Sequence, residues 1–142
     1  MPLKIIDHGS KEYLQMVELR KLILRKPLGL DFTDDELESE KDDLLIAAYE
    51  DDTMLGCCIL TQTDPDTVRL RQMAVRAGLQ GKGVGRVLLE FAENIARDRG
   101  NKKLTMHARK TAAGFYEKQG YKAVGDEYVE VTIPHYNMEK KL

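Results

Sequence analysis

The sequence predicts a mixed α/β (α+β) fold built on one principal sheet, and three observations carry that expectation. Two long segments place apolar residues at helical spacing. Several shorter runs, alternating or continuously apolar, lie between turn-forming residues as strands do. The patterns follow one another as β-α-(α)-β-β-β-α-β-α-β-β, with helices interleaved among strands and three strands in a row joined by short turns.

Each element has its own justification. Leu3 to Ile6 is a short strand candidate. Ser10 is placed to cap a helix over residues 11–25, where Tyr13, Met16, Val17, Ile23 and Leu24 share one side. Arg20 lies on that side too, so its stem is expected to snorkel or its head to find a carboxylate. Pro27 and Gly29 end the helix. Thr33 and Glu36 have capping-box spacing, which predicts one short helix. Seven of the ten residues from Asp34 to Asp43 are acidic. They read as a solvated helix, with an acidic lip for a cationic substrate as the alternative.

LLIAAY (44–49), MLGCCIL (54–60) and VRLRQMAV (68–75) should form an antiparallel meander, turned by Asp51-Asp52 and Asp64-Pro65-Asp66. The third strand changes phase: Val68 and Leu70 are apolar on even positions, Met73 and Val75 on odd ones. A strand accommodates that with an extra residue, so a β-bulge is expected near Arg71-Gln72. From Gly83 to Arg99, Val84, Val87, Leu88, Phe91 and Ile95 form a helical stripe that Gly100 stops. Leu104, Met106 and Ala108 alternate as a strand. Thr111 to Gln119 reads as a short helix closed by Gly120, and residues 121–131 and 135–140 as two final strands.

Composition narrows the function. A chain of 142 residues fits a single domain over 1–142 that buries roughly two-thirds of its unfolded surface. A net charge of −2 argues against nucleic acid as partner, since phosphate backbones call for a basic excess. No apolar run nears the roughly 20 residues of a membrane span, and MPLKIIDHGSKEY lacks the apolar core of a secretory signal. Cys57 and Cys58 are neighbours on a strand and point to opposite faces, so they are expected as buried free thiols in a reducing cytoplasm. With three scattered histidines beside them, no metal site is expected.

The chemistry gathers at "VRAGLQGKGVGRVLL" (75–89). Here a loop opens the long helix, so unpaired amides and the positive end of the helix dipole converge. Gly81, Gly83 and Gly85 remove side chains that would block a diphosphate, and Lys82 and Arg86 add charge. A Walker A pattern does not fit, and Arg86 stands where a dinucleotide fingerprint needs its third glycine.

Gln80-Gly81-Lys82-Gly83-Val84-Gly85 resembles the Q/R-x-x-G-x-G/A signature of the GNAT (GCN5-related) N-acetyltransferases. A-x-F-Y-E-K-Q-G-Y at 113–121 is similar to that family's second block, and the ending E-x-x-I-P-H-x-x-M at 130–138, with Leu19-Arg20, resembles the ElaA-like subgroup. The resemblance implies a GNAT-like acyl-CoA acyltransferase fold, with a mostly antiparallel sheet of six or seven strands and a splayed, bulged fourth strand. It implies acetyl-CoA as donor, its pyrophosphate on residues 80–86 (Gln80, Gly81, Lys82, Gly83, Val84, Gly85, Arg86). The pantetheine arm would pair with main chain near Met73, Ala74 and Val75, and Phe115 would lie against the cofactor. An amide of Ala74 or Val75 would polarise the thioester carbonyl.

The implied reaction is direct attack by a neutral primary amine in a ternary complex. Tyr116 matches the tyrosine that protonates the departing thiolate; a core aromatic pair with Phe115 is its alternative reading. Glu130 and His135 match the subgroup ending and lead as bases, with Pro134 holding His135 extended and edge-like. His107, facing opposite Met106, could line the cleft but departs from the subgroup pattern, and a water relay is a further option. The acceptor is a small-molecule or peptide amine, and a homodimer is compatible with the family. An acyl-CoA-binding regulatory module without turnover is the rival reading.

Overall fold

The strand and helix patterns resolve, in a computed structural model describing residues 1–142, into seven strands and four α-helices. In chain order these are β1 Leu3–Ile6, α1 Lys11–Arg20, α2 Asp34–Glu38, β2 Leu44–Glu50, β3 Thr53–Asp64, β4 Thr67–Val75, α3 Val84–Asp98, β5 Lys103–Arg109, α4 Ala113–Lys118, β6 Lys122–Glu130 and β7 Ile133–Lys141. The sheet order is β1-β2-β3-β4-β5-β7-β6. Two compact units divide the chain: Met1–Thr61 with Gln72–Ala92, and Gln62–Arg71 with Glu93–Leu142.

In the first unit, Ser10 caps α1 by accepting the Tyr13 N–H at 3.2 Å. The helical segment continues past Arg20 as a π-helical turn, Lys21–Arg25, then a 3-10 turn that ends at Gly29 with φ +71°. Tyr13, Met16 and Leu19 pack on Leu45, Ala47 and Tyr49 of β2 and Cys57 and Ile59 of β3, with Ala74 in the same cluster. Arg20 is fully buried rather than snorkelling. It donates from Nη1 to Glu40 Oε1 at 2.8 Å and from Nη2 to Oε2 at 2.7 Å, and the Tyr13 hydroxyl donates to Oε1 at 2.6 Å. Glu40 is therefore a core counter-ion and not part of an acidic lip. The capping box of α2 is present, with Thr33 Oγ1 accepting from Glu36 N at 3.1 Å.

β1 and β2, and β2 and β3, pair antiparallel. The bulge expected in β4 is seen at Gln72, a non-glycine residue at φ +55° in mid-strand. Beyond it Ala74 is buried, whereas Met73 and Val75 are half-buried. Gly56 on β3 makes room for α3: a Cβ there would meet Val84 Cγ1 at 2.9 Å, Ala74 O at 3.0 Å and Leu88 Cδ1 at 3.0 Å. The buried residues of α3 are Val84, Leu88, Leu89, Ala92, Glu93 and Ala96. That face is turned from the expected stripe, leaving Val87, Phe91 and Ile95 half-buried along its side. The inward turn presents Ala92 and Ala96, whose small side chains allow close backbone approach.

In the second unit Thr67–Leu70 of β4 runs parallel to Lys103–Met106 of β5, and the ladder ends there although β4 continues to Val75. β5 pairs antiparallel with β7, from Lys103 opposite Lys141 to Arg109 opposite His135. β6 then pairs with β7 on the other side. His135 is thus extended but inside the sheet, correcting the edge-like placement. Pro134 lies just beyond the β5 ladder and opposite Val129 of β6, a strand start where its missing N–H is tolerated. Leu104, Met106 and Ala108 are buried and His107 faces the opposite, open side. The helix after β5 starts as a 3-10 turn at Lys110–Ala112, and Gly120 (φ +96°) closes α4. The β6–β7 turn holds Val131 and Thr132 at φ +50° and +62°.

Candidate active site

The first unit contributes the glycine loop. Gly78, Gly81 and Gly83 have φ of +86°, +82° and +91°, conformations that side-chain-bearing residues resist. These left-handed steps turn the chain from the end of β4 into α3, a 15-residue helix with no acidic residue in its first turn. A Cβ at Gly81 would meet nothing within 4 Å, and one at Gly83 only Arg86 Nη2 at 4.0 Å. An anionic group can therefore approach the backbone closely, and the residues present fit a diphosphate. Lys82 and Arg86 are exposed beside the loop, with Arg86 3.5 Å from Glu90 one turn on. Gln80 ties the loop to the strand, donating from Nε2 to the Val75 carbonyl at 3.2 Å. Val84 is buried and Gly85 half-buried, so both belong to the packing of the helix start.

The direction of the β4 amides separates Ala74 from Val75. Arg76 N donates to Leu55 O at 2.8 Å, towards β3. Strand groups alternate, so Ala74 points the same way, in line with its carbonyl lying against Gly56. The Val75 carbonyl instead meets Gln80, and its N–H shares that outward side.

The second unit holds the candidates for proton transfer. Tyr116 on α4 is buried, edge-on to Phe115 at 5.1 Å and to Tyr121 at 5.9 Å between ring centroids. Tyr121 is fixed by a buried carboxylate: its hydroxyl donates to Glu93 Oε2 at 2.7 Å, and Lys140 Nζ donates to both Glu93 oxygens at 3.2 Å. Burial and the hydrogen bond to Glu93 push the Tyr121 hydroxyl well above its ordinary pKa, so it stays a donor.

Glu130 and His135 come together at the open end of the β5-β7-β6 sheet, and His107 joins them. Glu130 Oε1 is 3.0 Å from His107 Nδ1, and Oε2 is 3.6 Å from His135 Nε2. His135 Nδ1 lies 2.7 Å from the Ile133 carbonyl, which can only accept, so the proton of the neutral ring sits on Nδ1. Tyr128 stacks on His135 at 5.9 Å, meets His107 edge-on at 6.0 Å, and donates to Asn137 Oδ1 at 2.8 Å. Burial first, then Glu130, raise the Tyr128 pKa. Arg69 completes the group, its Nη2 3.1 Å from His107 Nδ1. A groove of about 290 Å³ opens beside His107, lined also by Thr105, Val124, Asn137 and Glu139.

Arg69 and Tyr128 did not emerge from the sequence. The signal that could have found them is strand parity, because odd-numbered residues of β5 and β7 share a face with them. Using it requires knowing that β7 sits between β5 and β6.

Residues 30–142 match the family model described as an acetyltransferase (GNAT) domain. The chain belongs to the GNAT acetyltransferase family. This makes it an acyltransferase of the N-acetyltransferase type. A candidate acetyltransferase of Bacillus subtilis (strain 168) is 28% identical over 127 residues, 87% of this chain and 86% of that protein. The crystal structure of Escherichia coli ElaA superposes with a TM-score of 0.84 at 19% identity, over 98% of both chains. An aminoglycoside 6'-N-acetyltransferase crystallised with coenzyme A gives 0.82 at 18% identity, over 99% of this chain and 97% of its own. At those identities the two structures share the GNAT fold with this domain. No helix of this GNAT domain is long and apolar enough to cross a membrane.

Proposed function

We propose that the protein transfers the acetyl group of acetyl-CoA to a primary amine of a small molecule or peptide, by direct attack in a ternary complex. The observation that carries this reading is the open glycine loop at the start of α3, following the bulged strand, in a chain of GNAT lineage. Acetyl-CoA, when bound, supplies an activated thioester whose carbonyl accepts the amine. Backbone amides of residues 80–86 hold its pyrophosphate, with Lys82 and Arg86 supplying positive charge. Main chain at Met73 and Val75 aligns the pantetheine arm, and Phe115 packs against it. The Val75 N–H stabilises the developing oxyanion, a contribution of about 3 kcal/mol for one such donor. Tyr116 gives a proton to the departing sulfur, and the acceptor loses its proton to the cluster built on Glu130 and His135. Residues 1–142 work as one catalytic domain in a reducing cytoplasm, either alone or as a homodimer.

Calorimetric titration with acetyl-CoA, using ATP and NAD as controls, tests the loop. Selective micromolar binding supports it, and no binding at millimolar donor discards it. Acetylation across a panel of primary amines then separates an enzyme from an acyl-CoA-binding regulator. In that assay Tyr116→Phe lowers kcat with little change in the affinity for acetyl-CoA.

A further inference from the structure

We propose that His107, through its Nε2, is the group that takes the proton from the acceptor's ammonium, and that Arg69 and Glu130 compete for its Nδ1 to decide when it can. This rests on the acetyl-transfer reading above.

His107 Nδ1 lies 3.1 Å from Arg69 Nη2 and 3.0 Å from Glu130 Oε1. A guanidinium nitrogen can only donate and an ionised carboxylate can only accept. One ring nitrogen of a neutral imidazole cannot satisfy both. When Nδ1 carries the proton it donates to Glu130, and Nε2 keeps the lone pair that a base needs. When Nδ1 accepts from Arg69, the proton sits on Nε2 and the ring cannot take another there. The choice of partner at Nδ1 therefore sets the chemistry at Nε2.

The other members of the cluster are less suited to meet an amine. His135 has only 6% of its side chain exposed, its Nδ1 is held by the Ile133 carbonyl, and its Nε2 is turned to Glu130. Both Glu130 oxygens face imidazoles. His107 is one-third exposed and borders the groove. Charged and titratable groups on this face are Arg69 from β4, Arg109 two residues on along β5 and opposite His135, Tyr128 and Glu130 from β6, and His135 and Glu139 from β7. Arg69 Nε is buried with no hydrogen-bond partner.

The groove accordingly admits a protonated primary amine. One ammonium proton passes to His107 Nε2, leaving a neutral amine, and is later released to solvent as the one net proton of the reaction. As the C–N bond forms and the C–S bond breaks, the amine's second proton leaves for sulfur by way of Tyr116. Glu130 and Arg69 act as positioning residues.

The test combines pH profiles of kcat/KM, over a panel of primary amines, with ¹⁵N spectra of the imidazole nitrogens. Wild type, His107→Gln, His135→Gln and Arg69→Gln are compared. The proposal expects His107→Gln to lower kcat/KM about a hundredfold and to abolish the acidic limb of the profile. It expects His135→Gln to retain that limb. Arg69→Gln should raise the share of the Nδ1–H tautomer of His107, because the donor that competes with Glu130 for Nδ1 is gone. An acidic limb that survives in His107→Gln, or an unchanged tautomer in Arg69→Gln, overturns the assignment. Absence of turnover in the wild type with every amine overturns the acetyl-transfer reading itself, and the assignment with it.

Discussion

Arg20, Glu40 and Tyr13 form a polar knot inside an apolar cluster, and its energetics are one-sided. A buried bidentate pair adds little net stability, yet removing one partner strands a charge away from water. Glu40→Gln should therefore cost about 3–5 kcal/mol, read as a lower urea midpoint. The double replacement Arg20→Met, Glu40→Leu should cost far less, since no charge is left behind. Equal losses in the two variants would mean that the pair itself, and not the stranded charge, carries the energy. Cys57, in the same cluster, gives a pH signature. Burial pushes its thiol up to about 12, against about 8.5 for an exposed thiol. Because the folded value is the raised one, its contribution is whole below the ordinary value and is lost as pH rises from there through about 12. Thiol labelling at pH 8.5 should then proceed only as fast as the protein opens. Immediate labelling of native protein would contradict the buried placement.

Two elements are shaped by backbone geometry more than by side-chain chemistry. Helix α3 reaches β3 because Gly56 carries no side chain. Gly56→Ala sets a methyl against a carbonyl oxygen and two side-chain carbons at 2.9–3.0 Å, and the carbonyl cannot step aside cheaply. We expect a loss of about 1–3 kcal/mol, together with weaker acetyl-CoA binding as the helix start shifts. Calorimetry on the folded variant checks the second effect, and unchanged affinity would separate the packing of α3 from the loop. The β6–β7 turn is strained for the opposite reason. Val131 and Thr132 are β-branched, yet both occupy the left-handed region that suits Asn-Gly. Replacing them with Asn-Gly should raise stability by about 1 kcal/mol or more, seen as a higher thermal midpoint. A lowered midpoint would mean that contacts of Val131 and Thr132 outweigh the strain.

At the scale of the molecule, what the sequence disclosed was mostly local. Caps at Ser10 and Thr33, the bulge near Gln72 and the alternation of Leu104, Met106 and Ala108 are all set by residues a few positions apart. The glycine loop was legible for the same reason, since three glycines and the helix they open lie within one short run. Of the Glu130-centred cluster, Glu130, His135 and His107 were named singly, but their meeting with Arg69 and Tyr128 was not legible, because it depends on β7 inserting between β5 and β6, a pairing over long sequence separations. The inward face of α3 was misplaced since Phe91 and Ile95 outrank Ala92 and Ala96 in hydrophobicity, whereas packing space at Gly56 favours a different turn of the helix. These limits leave the loop as the feature on which sequence and structure bear most directly, and it admits a test on the whole protein. A ligand that binds only the folded state at a hundred times its Kd stabilises it by about 2.7 kcal/mol, so acetyl-CoA should raise the thermal midpoint, and ATP and NAD should not. Gly83→Asp puts a side chain at φ +91° and a negative charge where the diphosphate is proposed to sit. That variant should lose the acetyl-CoA shift entirely. Gly83→Ala adds the backbone strain without the charge, so it should lower the ligand-free midpoint similarly and keep part of the shift. If Gly83→Asp keeps the full shift, the pyrophosphate lies elsewhere and the loop serves only to turn the chain into α3.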